Sequence, residues 1–335
     1  MNSNREYGTL KVPTSLVSHI ICFFAAMALT VIASLYSTPE YLSFSGLVEL
    51  PISQEWSTST SALAINGVTS ILLFAVTSAI ANKFSLTTLM SFFPTLFFLM
   101  LQCCNPATLL SFNMGIVGAI AVMVATYYLF ENYGKRRVES MTYGTTLLMC
   151  ATSILWDKAI FFIPLIWIGL AQLNILNVKS ASASLFAIAT AAFILWASSY
   201  MEWCSFNFLE SWEEIKSVIT LDDYSHISNS VLYDVAYIAP ILMVVLIYNL
   251  TNIYADTHEK ISIKRYALFL NSTLTLTIVL MVLNPLSITT YMPVFNSVSA
   301  LLAAHYFNTI KSKIKLRFLY LVILIYITMY VLWIL

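Results

Sequence analysis

Charge in this chain falls almost wholly in the gaps between long apolar runs, and its sign alternates from one gap to the next. Only 10% of the 335 residues are charged and 59% are hydrophobic, whereas a soluble domain carries about 25% charged residues. A bilayer core takes about 20 apolar residues per helix. Lipid offers the backbone no hydrogen bonds, so only helices or closed barrels cross it. The runs are continuous rather than alternating, so they read as helices. The expected fold is all-α, a polytopic transmembrane bundle forming a single integral membrane domain over 1–335.

The runs cover residues 16–36, 61–81, 86–103, 108–130, 141–155, 159–176, 183–203, 231–253, 267–283, 287–307 and 318–335, which makes eleven spans. The fifth and sixth are short and share the polar break Trp156-Asp157-Lys158. Two spans are preferred there over a re-entrant pair. With the N-terminus in the cytoplasm, only Lys158 and Lys216 fall outside, so fourteen of the 16 Lys and Arg lie inside (16 − 2). That is the positive-inside bias, and eleven crossings leave the C-terminus outside. The first run exceeds the roughly 7–15 apolar residues of a signal peptide, so it reads as a retained anchor.

Two outer loops are long, 37–60 and 204–230. In the second, Phe208, Leu209, Trp212, Ile215 and Ile219 recur at helical spacing opposite Glu210, Glu213, Glu214 and Lys216. This predicts an amphipathic helix over about 206–221, lying on the membrane or capping the bundle. Asn105-Pro106 and Asn284-Pro285 each close an apolar run at the outer face, a recurrence that Asn-Pro as a common helix stop also explains. Cys103, Cys104 and Cys204 fall near that face and are available for a disulfide.

Ionisable residues at membrane depth are functional candidates, and most spans have none in their central turns. That argues against an ion-driven transporter, although unwound carbonyls also bind ions. Asp234 and Glu202 lie close enough to the interface to be solvated. Glu40, after Pro39, suits a general base on an acceptor presented at the membrane surface. Lys158 suits either a lipid phosphate, as a point charge, or a local pair with Asp157. Asp222, Asp223 and His226 suit a divalent metal as cofactor, or simply a solvated turn. His19, His258 and His305 have no matched partners in the sequence. Nucleotide-binding, zinc-protease and Ser-His-Asp motifs are absent, as is any nucleic-acid module. The expected partners are membrane lipids and a lipid-linked sugar; the sequence names no protein partner.

Two resemblances bear on function. Ser91-Phe92-Phe93-Pro94-Thr95 through Tyr127-Tyr128-Leu129-Phe130, Lys135-Arg136-Arg137, the stretch from Leu147 through Trp156-Asp157-Lys158 to Pro164, and the end from Leu283-Asn284-Pro285 through His305-Tyr306-Phe307 to Trp333 resemble a bacterial family of multi-pass envelope membrane proteins of unknown function. Spans three to six more distantly resemble membrane glycosyltransferases of the GT-C type. Trp156-Asp157-Lys158 and Pro164 stand where those enzymes carry a polar patch and a proline-containing apolar run. That resemblance implies transfer of a lipid-linked sugar at the outer leaflet of a bacterial inner membrane. It also implies a catalytic carboxylate in the first outer loop, where Glu40, Glu49 and Glu55 are available. Asn113 stands where those enzymes often place Asp, and no outer arginine is present to grip a phosphate. The alternatives are a non-enzymatic transporter or flippase of a lipid or glycan precursor, and a membrane scaffold for envelope assembly.

Overall fold

The protein is described by a computed structural model over residues 16–36, 59–88, 91–110, 113–201, 229–254, 260–308 and 313–334. All regular structure among these residues is helical. The elements are α1 (Leu16–Tyr36), α2 (Ser59–Lys83), α3 (Phe93–Cys103), α4 (Ala107–Leu110), α5 (Gly115–Glu131), α6 (Glu139–Leu155), α7 (Ile163–Gln172), α8 (Val178–Tyr200), α9 (Asn229–Tyr254), α10 (Ile261–Leu283), α11 (Ile288–Asn308) and α12 (Lys313–Ile334). A 3-10 helix, Asp157–Phe162, precedes α7, and a shorter one, Pro285–Ser287, precedes α11. The predicted interfacial helix over 206–221, and residues 37–58 and 204–228 of the two long loops, lie outside the described residues; 59–60 and 229–230 begin α2 and α9.

Seven of the described helices (α1, α2 and α8–α12) are long and apolar enough to cross a bilayer. The chain is a multi-pass membrane protein. The other apolar runs form shorter helices. α3 has 11 residues, about 16 Å at 1.5 Å per residue, against a hydrocarbon core of about 30 Å. α5 and α6 have 17 residues each, or about 25 Å. The 3-10 helix continues into α7, and the two together reach about 27 Å.

These short helices form two hairpins, α3–α5 and α6–α7, that start and finish at the same end of the bundle. Exposed basic residues mark that end: Lys83, Lys135, Arg136, Arg137, Lys179 and Lys260. Contacts tie the helix ends together there. Lys83 Nζ meets Glu131 Oε1 at 2.6 Å. The Thr88 N–H donates to Asn308 Oδ1 (3.1 Å). Arg265 Nη1 donates to the Gln172 carbonyl (3.3 Å), and Lys315 Nζ lies 4.5 Å from the Tyr306 ring centroid. Because each hairpin returns to its starting end, seven crossings and eleven give α8–α12 the same directions.

Prolines set the breaks at the opposite end. Proline has no N–H, so it frees the carbonyl four residues before it. Pro106 frees Gln102, whose carbonyl takes a bond from Thr108 Oγ1 (3.3 Å). Pro293, inside α11, frees Thr289, whose carbonyl takes Asn113 Nδ2 (2.9 Å). Side chains of the α3–α5 hairpin thus repair both gaps, and the second repair ties that hairpin to α11. Asn113 also accepts the Gly115 N–H through Oδ1 (2.8 Å) and supports the first turn of α5.

α11 is the hub. It is buried almost throughout and packs against α2, α3, α4, α5, α9 and α10. In its basic half, Phe307 stacks on Phe97 (5.4 Å between centroids) and on Phe318 (6.1 Å). Near the same end Phe130 stacks on Tyr266 at 4.3 Å. Outside this core, α1, α8 and α12 expose Phe24, Leu35, Phe193, Trp196, Leu324 and Leu332, as helices facing hydrocarbon do. Some buried hydroxyls find partners inside. Ser184 Oγ accepts Trp167 Nε1 (2.9 Å) and lies 3.0 Å from Thr146 Oγ1.

Two glycines permit the closest approaches. A Cβ on Gly115 would lie 1.7 Å from the Thr290 carbonyl oxygen of α11, and one on Gly118 would lie 2.0 Å from the Trp156 ring. Gly67 in α2 and Gly144 in α6 face open space. Gly115→Ala and Gly118→Ala are therefore expected to destabilise the protein by about 1–3 kcal/mol, the cost of overpacking. Gly67→Ala and Gly144→Ala are expected to be neutral or to stabilise it by up to about 1 kcal/mol. Thermal unfolding of the purified protein in detergent measures both pairs.

Candidate functional site

Of the candidates read from the sequence, Glu40, Glu49, Glu55, Glu202, Asp222, Asp223 and His226 lie outside the described residues. Lys158 is described, and its position is informative. α6 ends where Trp156 turns to an extended backbone (φ −140°, ψ 99°). The chain then winds into the 3-10 helix that carries Asp157 and Lys158. Both charged side chains are buried, at 5% and 6% exposure.

Trp156 organises the surroundings of Lys158. Its benzo edge lies on α5 at Gly118. Its ring stacks on Phe162 (5.9 Å) and meets Tyr291 of α11 edge to face (5.7 Å). Lys158 Nζ lies 5.7 Å from the Tyr291 ring centroid, within cation–π range. Asp157 is close enough for its charge to act on the Tyr291 phenol. Trp156 Nε1 and the Tyr291 hydroxyl, on side chains 1% and 0% exposed, have no hydrogen-bond partner among the described residues. An unmet buried donor costs about 1–3 kcal/mol. The cluster thus holds an ammonium, a neighbouring carboxylate and two donors without partners among the described residues.

Below Trp156, Phe162 helps to line an apolar cleft with Val122, Thr126, Met149, Leu165 and Phe269. Val122 and Thr126 continue the α5 face on which Gly118 receives the indole, at helical spacings of four.

A second polar cluster surrounds the broken end of α3. Asp234 of α9 is buried at 6% exposure rather than solvated, and Asn105 Nδ2 donates to its Oδ1 (3.0 Å). One turn along α9, the Tyr237 hydroxyl donates to the Leu101 carbonyl. Asn296 of α11 donates to that same carbonyl (3.0 Å) and to Gln102 Oε1 (3.2 Å). The cysteines there, Cys103 and Cys104, are free thiols. His19 and His305 bind Thr95 and the Leu86 carbonyl, which are structural contacts. Among the described residues, no three His, Cys, Asp or Glu side chains gather as a metal centre would.

Sequence reasoning singled out Trp156-Asp157-Lys158 as a polar break and gave Lys158 a role, but it missed Tyr291 and Asn296. The usable signals were Pro293 and the Asn-Pro break, which mark where polar side chains must approach freed carbonyls. Comparison with protein-family models, curated proteins and solved structures finds no match to this chain.

Asn113 supports both the start of α5 and the gap left by Pro293. Asn113→Ala is expected to lower stability by about 1–2 kcal/mol. Asn113→Asp keeps the cap but loses the amide donor to Thr289, so it is expected to recover only part of that loss. Detergent melting curves of the two variants measure the difference.

Proposed function

We propose that this protein handles a lipid-linked sugar at the outer leaflet of a bacterial inner membrane, with Lys158 holding the lipid phosphate and Trp156 Nε1 and the Tyr291 hydroxyl bonding its oxygens. The observation that carries this reading is a buried ammonium beside two buried donors that lack partners among the described residues. Lysine binds phosphate as a point charge, and a dry wall of Trp156, Phe162 and Tyr291 strengthens that attraction. The cluster lies at the end opposite the basic loops, which under the positive-inside bias is the outer one. In this reading the α3–α5 and α6–α7 hairpins, counted as crossings, bring the total to eleven in a GT-C-like arrangement. Glu40 serves as general base in the first outer loop, and Asp222, Asp223 and His226 hold a divalent metal, if the chemistry uses one.

The reading has two separable parts, binding and transfer. Lys158→Gln removes the charge at nearly constant shape. It is expected to weaken binding of a polyprenyl monophosphate to the detergent-purified protein by about 10–100-fold, the worth of a hydrogen bond to a charged group. Unchanged affinity in a binding titration would remove Lys158 from the site. Glu40→Gln is expected to leave that affinity intact while changing the glycolipid content of cells that express the protein at normal levels. If Lys158→Gln loses binding but Glu40→Gln leaves glycolipids unaltered, the protein moves or holds the lipid rather than transferring its sugar.

Orientation has its own test. Tags at the two ends are expected on opposite faces of the membrane, the N-terminal tag protected in intact spheroplasts and the C-terminal one open to protease. Equal protection of both tags would overturn the assignment of the Lys158 cluster to the outer leaflet.

A further inference from the structure

The Lys158 cluster has spare donors; the break after α3 has spare acceptors. Asn105 Oδ1 and Asn296 Oδ1 have no hydrogen-bond partner among the described residues, and both residues are 0% exposed. Flipping the amides does not relieve this. Asn105 Nδ2 faces the Asp234 carboxylate (3.0 Å). Asn296 Nδ2 faces the Leu101 carbonyl (3.0 Å) and Gln102 Oε1 (3.2 Å). In each case the amino group sits against acceptors, so the carbonyl end must point where no donor of the described residues reaches it.

The two amides flank one short stretch of chain. Asn296 clasps Leu101 and Gln102. Thr108 Oγ1 bridges the carbonyls of Gln102 (3.3 Å) and Asn105 (2.8 Å). Amide oxygen and nitrogen share one carbon, so Asn105 Oδ1 lies within about 5 Å of the Asp234 oxygen that its amino group binds. The last carbonyls of α3 add the negative end of an 11-residue helix dipole. A carboxylate has about four lone-pair sites, so Asp234 has capacity for a further ligand whatever else it bonds. Among the described residues these are neutral oxygens beside the Asp234 carboxylate, all buried, at an interrupted helix end. Hard cations are bound by such oxygen sets, and unwound carbonyls with half-helix C-termini bind monovalent ones in membrane proteins.

We propose that the break between α3 and α4 binds a monovalent alkali cation, with Asn105 Oδ1 and Asn296 Oδ1 as ligands and Asp234 as the compensating charge. The site is independent of the Lys158 cluster and of any chemistry at Glu40.

Thermal unfolding of the full chain in detergent tests this, with sodium, potassium or N-methylglucamine chloride at equal ionic strength. The expected result is a saturable rise of several degrees in the midpoint with sodium or potassium over N-methylglucamine. Asp234→Asn keeps the shape and removes the charge, and the rise is expected to vanish. Asn113→Ala lowers stability without touching the site, and the rise is expected to persist. Should Asp234→Asn fail to fold, Asn105→Ser takes its place with the same expectation. Identical midpoints for the wild type in all three salts overturn the proposal and assign the orphan oxygens to bound water. A cation effect that survives in Asp234→Asn, or in its substitute, overturns it as well, because the ion then lies elsewhere.

Discussion

In hydrocarbon a backbone carbonyl without a donor has no water to fall back on, and the core of this bundle depends on that constraint. Pro106 and Pro293 each remove one rung from a helical ladder, and each freed carbonyl is met by a side chain of the segment between α3 and α5. Non-helical backbone at such depth is tolerated only inside protein. The α3–α5 hairpin therefore has to pack against α11, and Gly115 lets the two backbones approach closely enough. The hub position of α11 and the burial of the broken segment are one requirement seen from two sides.

The apolar runs were legible to within a few residues wherever a helix was long. Run 16–36 is α1, and run 267–283 is the latter part of α10. They were less legible where polar residues interrupted the run. Run 108–130 becomes α4 and α5, and run 159–176 becomes the end of a 3-10 helix followed by α7. Hydropathy records how apolar a segment is, not whether its hydrogen-bond ladder is continuous. Asp234 shows the same limit. Its place near a helix end suggested solvent, yet the end of α3 lies against it and supplies Asn105. Lys158 was visible as a rare cation and Trp156 as part of the polar break beside it, but no spacing pointed to Tyr291, 133 residues further along. Only the extended backbone at Trp156 turns the indole inward.

The two polar clusters differ in the sign of what they lack. Around Lys158 the unmet groups are donors, and around Asn105 and Asn296 they are acceptors. Each pair stands near buried charge: Asp157 and Lys158 beside the donors, Asp234 beside the acceptors. Both groups stand at interruptions of helices, where backbone geometry has already been given up.

Rigidity explains why such costly arrangements persist. Tyr291 and Asn296 are five residues apart on α11, so one helix carries a member of each cluster. The basic half of that helix is clamped by Phe97, Phe307 and Phe318, and His305 bonds the Leu86 carbonyl beside it. Polar sites hold their geometry when they stand on elements fixed by packing elsewhere. A shift of α11 along its axis would disturb Tyr291 against Trp156 and Asn296 against Leu101 together. One packed helix thus fixes a member of each cluster.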